Sequence, residues 1–262
     1  REEKLDLVAK FRDVSGVPWR TITPDKHNDW LNQRNAEFDS FVPLAPETKN
    51  KPQSFFSFYT AGAQTNRDAW VYNYSRTAIA CNVPKSIEFF NDCAEKRRIS
   101  NDPKQVKWTR RLGEQCLKGR TVVYQPDSIV DSLYRPFSLQ SAYLDRGFIE
   151  YPYGTPAMFP TADSKNLVIV MCGTGGTKPF SCLMVSKIPN YELMEKGQCF
   201  PLYWYEEKKK DGGQLELFGL EEKGRYIRHD GVSDFILSQF QGVLGSTVGK
   251  EDIFFWVYGA LH

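Results

Sequence analysis

The sequence predicts an α+β fold, a mostly antiparallel sheet with flanking helices around an aromatic-rich core. Three observations lead there. Between residues 121 and 205, short apolar or alternating runs recur with turn residues between them, the pattern of sheet strands rather than of long helices. Segments with apolar residues at helical spacing, such as Ile87, Phe90 and Ala94, stand on both sides of that region. Aromatic residues make up 14% of the chain within a hydrophobic total of 41%, a composition that builds a folded core and excludes whole-chain disorder.

Residues 1–12 read as an amphipathic helix. Glu2 and Glu3 suit the positive end of its dipole, Leu5, Val8 and Ala9 share a face beside Leu7 and Phe11, and Ser15-Gly16 with Pro18 stops it. Residues 19–22 read as a short strand, Pro24-Asp25 as the opening of a turn or helix carrying Trp30-Leu31, and residues 43–52 as a loop. Residues 54–60 return to strand, Gly62 and Gln64-Thr65-Asn66 make a turn, and residues 69–74 form the next strand. Alternation would place Trp70, Tyr72 and Tyr74 on one side and Ala69, Val71 and Asn73 on the other. A helix capped by Ser75 or Asn82 is clearest over residues 86–98, and a second basic helix spans 109–118, with Gly119 as its stop. Strands are expected at 121–124, 128–134, 141–149, 167–172, 180–188 and 199–205. Residues 206–225 interrupt the pattern as a flexible charged insertion. Two helices close the chain, 233–244 and 250–262, the second dense in aromatics that anchor in the core.

A length of 262 residues suffices for one large core or two small ones. No apolar run approaches the roughly 20 residues that span a bilayer, and no signal segment opens the chain, so a soluble, cytoplasmic protein without a membrane partner is expected. Arg1 as first residue and a closing helical pattern without a stop signal suggest a processed or excised piece. The six cysteines show no C-x-x-C pair and there are three histidines, a pattern that argues against zinc and for buried thiols. Net charge is +2, unevenly spread: residues 84–120 carry ten basic against five acidic side chains, which leaves the remainder at −3. Such a basic segment fits a one-sided electrostatic footprint or an ordinary solvated helical face.

Catalytic motifs fail on inspection. Gly173-Thr174-Gly175-Gly176-Thr177-Lys178 follows an apolar strand, but Pro179 stands where a phosphate loop needs Ser or Thr, and a strand follows where a dinucleotide loop needs a helix. A hairpin turn is the expected structure. Glu206-Glu207-Lys208 and Glu221-Glu222-Lys223 contain half of a nuclease signature, inside a segment unsuited to hold a metal rigidly. No Pro-Pro occurs to form the target-base loop of an adenine methyltransferase, and no nucleophile-base arrangement can be argued by position.

Thr65-Asn66-Arg67-Asp68-Ala69-Trp70-Val71-Tyr72-Asn73-Tyr74-Ser75 resembles a segment of the C-terminal DNA-specificity domain of type ISP restriction-modification enzymes. Residues 22–34, Leu133-Tyr134-Arg135-Pro136-Phe137 with Tyr143 and Asp145, and residues 252–262 agree in the family's order. The resemblance implies a target-recognition domain over 1–262, with 1–16 leading to an upstream methyltransferase. It implies double-stranded DNA and the upstream methyltransferase and helicase domains as partners. S-adenosylmethionine, ATP and Mg would serve the parent chain, with no cofactor and no catalysis in this piece. On this reading Asn66 and Asn73 offer amides suited to adenine edges, and Arg67, Arg76, Lys107, Arg110, Arg135 and Lys178 are cations in or beside turns. Each has a plain structural alternative: Arg67 can pair with Asp68, Asn73 can cap a turn, and Arg135 can stack between Tyr134 and Phe137. The competing function is a scaffold or protein-interaction domain that docks neighbouring domains.

Overall fold

The computed structural model describes residues 2–11, 13–46, 53–100, 102, 104–208 and 225–262, in two compact units, Arg1–Val42 and Pro43–His262. In the first unit, α1 (Glu2–Ala9) buries none of its residues, leaving Leu5, Leu7 and Val8 exposed. The strand expected at 19–22 does not form, because among the described residues no second strand offers it a ladder; Trp19 instead donates its indole N–H to the Val14 carbonyl at 2.8 Å. Asp25 makes a turn rather than a helix, its carboxylate accepting backbone N–H groups from His27, Asp29 and Arg34, which lower its pKa.

Among its described residues the second unit holds two four-stranded sheets and a two-stranded ribbon. The first sheet runs β1 (Thr60–Ala61), β8 (Gln198–Pro201), β5 (Val168–Met171), β6 (Cys182–Val185), all antiparallel. The second runs β2 (Tyr72–Asn73), β4 (Ser138–Tyr143), β3 (Ile129–Arg135), β7 (Ile188–Pro189), antiparallel except for β3 with β7. The ribbon pairs β9 (Tyr203–Glu207) with β10 (Tyr226–Asp230).

Each sheet packs on its own helices. Against the second lie α3 (Arg76–Glu95) and α4 (Arg110–Leu117), where Ile79, Val83, Ile87, Phe90, Leu112 and Cys116 meet Ile129, Ala142 and Tyr143. Behind the first, α6 (Asp234–Leu244) and α7 (Lys250–Leu261) bring Ile236, Ile253, Phe254 and Val257 onto Phe56, Ile169 and Phe200. The single turn α5 (Thr155–Met158) adds Met158 to a smaller cluster with Val168, Val170 and Cys199.

Local signals hold where local physics decides. Ser75 caps α3 by accepting from the Ala78 N–H at 3.1 Å, and Thr109 and Ser233 do the same for α4 and α6. Of the two caps expected, Ser75 is the one used, so α3 begins at Arg76, well before its clearest stretch at 86–98, ends at Glu95, and contains Pro84. The carbonyl that this proline deprives of a donor belongs to Ala80, which is exposed and open to water.

Other strand expectations are corrected. Residues 69–74 divide into one helical turn, α2 (Asp68–Val71), and the two residues of β2, so Val71 and Tyr72 are both buried while Tyr74 is exposed. Residues 54–60 form no ladder beyond the Phe56–Val232 bridge and the first residue of β1. Residues 121–124 are extended but pair with a side chain: the Asn91 amide donates to the Val122 carbonyl at 2.9 Å and accepts its N–H at 2.8 Å. The 141–149 run ends at Tyr143, where the Asp145 carbonyl turns the chain by accepting from Phe148 and Ile149. The 180–188 and 199–205 runs each divide between two sheets. Glu206 and Glu207 belong to β9, whereas residues 209–224 of the expected insertion lie outside the described residues. Of the cysteines, all unpaired, Cys93, Cys116 and Cys199 are buried and Cys81 is exposed. No helix among the described residues is long and apolar enough to cross a membrane.

Candidate nucleic-acid interface

The turn between β1 and α2 is built by alternating buried and outward residues. Gln64 is fixed by its backbone bridge to Tyr151, with N–H···O distances of 2.9 and 2.8 Å. Thr65 and Arg67 point inward, and Asn66 between them takes a φ of +55°, a left-handed conformation that asparagine tolerates better than most residues.

Arg67 is the correction of largest consequence among the expected contacts, being 1% exposed. Its guanidinium donates to the Phe148 carbonyl and, at 2.9 Å, to the Thr109 hydroxyl, and it lies 3.5 Å from the buried Glu150 carboxylate. Thr109 in turn donates to Glu150. Burial pulls the Arg67 pKa down to about 10 and Glu150 partly restores it, so the group remains a cation at neutral pH. Its anticipated partner Asp68 instead accepts from Thr65 and lies 3.9 Å from Arg135. Arg67 thereby locks α2, the 148–150 segment and the start of α4 together.

Two clefts open on either side of Ala69 and Trp70, which line both. One, of about 410 Å³, takes in Gln64, Asn66, Lys107, Tyr134, Tyr191 and Glu192. The other, of about 370 Å³, takes in Asn73, Asn82, Lys85, Lys104 and Gln105. The structure thus gathers Asn66 with Lys107, and sets Asn73 across the Trp70 wall. The Asn73 side chain accepts from the Ser75 N–H at 2.8 Å, which caps the turn, and the residue is exposed. Arg76 is exposed at the start of α3. Arg110 is exposed too and forms an ion pair at 3.0 Å with Glu114. Arg135 stacks over the Tyr134 ring at 4.0 Å and donates to the Tyr134 carbonyl and to Asn190, so half of it serves the fold. Lys178 lies in the connection between β5 and β6, the expected hairpin, whose backbone is held by the Glu195 carboxylate; it lines neither cleft. Arg111, within the same basic segment, donates to the Arg146, Ile149 and Glu150 carbonyls and is structural.

Sequence reasoning missed Gln64, Tyr153, Lys85 and Lys104. Lys85 and Lys104 were visible only as part of a basic segment. Tyr153 is near Gln64 only through the fold: its hydroxyl donates to Gln64 Oε1 at 2.9 Å, and burial together with the neighbouring Tyr191 and Tyr151 raises its pKa, keeping the proton in place.

Beside these clefts, Phe137 forms the tip of the β3–β4 hairpin, 89% exposed and with a φ of +62°. A bulky side chain in that conformation is strained by about 1 kcal/mol. Replacing Phe137 with glycine is therefore expected to leave stability in urea unchanged or raise it by up to about 1 kcal/mol. A loss above 1 kcal/mol would mean the ring supports the hairpin after all.

A wider concavity, about 1300 Å³, lies elsewhere, lined by Tyr59, Trp204, Arg228, His229, Asp234 and Lys250. His229 stacks on Trp204 with ring centroids 4.3 Å apart, and Lys250 is paired with Asp234 at 2.6 Å and Asp230 at 3.2 Å. Burial disfavours the Lys250 charge, but the two carboxylates outweigh it and raise its pKa, the pattern of a mutually satisfied ion group.

The family model of the Type ISP C-terminal specificity domain matches residues 54–262. The chain belongs to this family. Solved structures resemble the specificity domain over its whole length. A cryo-EM structure of a DrdV–DNA complex aligns with a TM-score of 0.82 at 27% identity, covering 100% of this chain and 25% of that one. The ATP-dependent Type ISP restriction-modification enzyme LlaBIII bound to DNA gives 0.79 at 26%, covering 100% and 16%. A nuclease-deletion mutant of the Type ISP enzyme LlaGI with a DNA substrate mimic gives 0.73 at 26%, covering 100% and 19%. The specificity domain therefore spans a quarter or less of these chains. No curated protein matches it in sequence.

Proposed function

We propose that this specificity domain recognises a DNA target for a Type ISP restriction-modification enzyme, reading base edges so that linked domains act at or from that site. The observation that carries the reading is the family match over 54–262, a span that contains both clefts with their outward amides and the cations Lys85, Lys104 and Lys107. Amides carry base information and lysines fix register on the phosphates. The domain is the recognition component and not an enzyme alone; adenine methylation, ATP-driven translocation and cleavage belong to the rest of the parent chain, which binds S-adenosylmethionine, ATP and Mg. The exposed Leu5, Leu7 and Val8 of α1 support the role of residues 1–16 as the connection toward an upstream methyltransferase.

The test is duplex binding by the chain between roughly 50 and 200 mM salt, where release of counterions by the three cleft lysines gives a log–log slope of about −3. Replacing Lys107 with alanine reduces the slope by about 1 and weakens binding to all sequences alike. Affinity indifferent to salt, or no binding in dilute buffer, would sink the reading and favour a protein-docking role.

A further inference from the structure

The geometry points to Asn66 as a pre-oriented reader of one adenine, with Gln64 and Tyr153 as the positioning residues that aim it. This rests on the DNA-recognition reading above and assigns one position of the target to one side chain.

The Tyr153 hydroxyl donates to Gln64 Oε1 at 2.9 Å, which turns the Gln64 nitrogen toward Asn66; that nitrogen donates to Asn66 Oδ1 at 3.0 Å. The relay occupies one lone pair of Asn66 Oδ1 and leaves the other, together with both Nδ2 protons, unspent. An amide that still offers one acceptor and one donor side by side matches the N6 donor and N7 acceptor of adenine in the major groove, and no other base presents that pair there. The backbone is fixed as firmly as the side chain. Buried Thr65 and Arg67 hold both neighbours of Asn66, and Gln64 is tied to Tyr151. Tyr153 is itself packed against two rings, tilted against Tyr151 at 5.5 Å and stacked on Tyr191 at 6.1 Å. Lys107 lines the same cleft and supplies a cation for the neighbouring phosphate. A group held in its binding geometry before the ligand arrives loses little freedom on binding, so the discrimination is large for one side chain.

The experiment selects bound sequences from a randomised duplex pool with the 262-residue chain and its variants. Asn66→Gly removes the amide while keeping a residue suited to positive φ, so a folding defect is not built into the test. The wild-type motif should contain one adenine whose preference falls by roughly 5- to 150-fold in Asn66→Gly, all other positions remaining as they were. Asn66→Asp, which keeps the acceptor and loses the donor, should relax the same position to adenine or cytosine, both of which present an amino group. Tyr153→Phe should weaken discrimination at that position and no other, a readout that a general loss of stability would not give. If the wild-type motif has no adenine that responds, or if Asn66→Gly weakens all positions equally, the assignment is wrong while the DNA-recognition reading stands. A wild-type chain that enriches no motif overturns both.

Discussion

Replacing Arg67 with alanine is expected to destabilise the chain by about 3–5 kcal/mol in urea denaturation, the cost of leaving a buried charge without its partner. Glu150 is buried with Arg67, and among the described residues Arg67 is its one ion-pair partner. The Phe148 carbonyl and the Thr109 hydroxyl lose a donor in the same step. The double variant in which Glu150 also becomes glutamine removes the stranded charge and should recover a large share of the loss. Recognition should suffer as well. Thr109 stands two residues after Lys107, and Arg67 directly follows Asn66, so loosening this group displaces both walls of the first cleft. A cost under about 1 kcal/mol, or no recovery in the double variant, would show that Arg67 does not anchor the turn.

Gly231→Ala should be comparably damaging for a different reason. A Cβ at Gly231 would overlap the Pro201 carbonyl oxygen, which belongs to backbone and cannot swing aside. Gly231 also donates to the Leu202 carbonyl at 2.7 Å and accepts from the Ser57 N–H at 2.8 Å, so it is the crossing point of three chain segments. Moving it away from Pro201 stretches both bonds, and the expected cost is about 3–4 kcal/mol, or roughly 10 °C in melting temperature. None of Ser57, Pro201, Leu202 and Gly231 lines either cleft, so target selection below the melting point should be unchanged. A variant that melts within about 2 °C of the parent would refute the steric argument.

The contrast between these positions explains what was legible in the sequence. The helix over 110–117 was readable because Thr109 and Gly119 act on it locally, and the closing helices because Ser233 and the apolar spacing do the same. The strand at 69–74 was misread because what bends it is Glu150, 83 residues downstream of Arg67, and no local pattern announces that pairing. The 121–124 run looked like a strand and is extended, but its partner is the Asn91 side chain, which supplies a single pair of bonds instead of a ladder. In the candidate interface, Asn66, Asn73 and Lys107 could be named because amides and cations beside turns are recognisable one at a time. Gln64 and Tyr153 could not, since their contribution exists only through contact with each other.

The strict alternation of inward and outward residues from Thr65 to Arg67 has an evolutionary consequence. The loop is held mainly by its buried neighbours, while Asn66 adds one hydrogen bond from Gln64 and a positive φ that glycine and aspartate also tolerate, so exchange among these residues alters preference at a small cost in folding. New target sequences are reachable from this scaffold by single steps at such a tip, each intermediate remaining a folded protein.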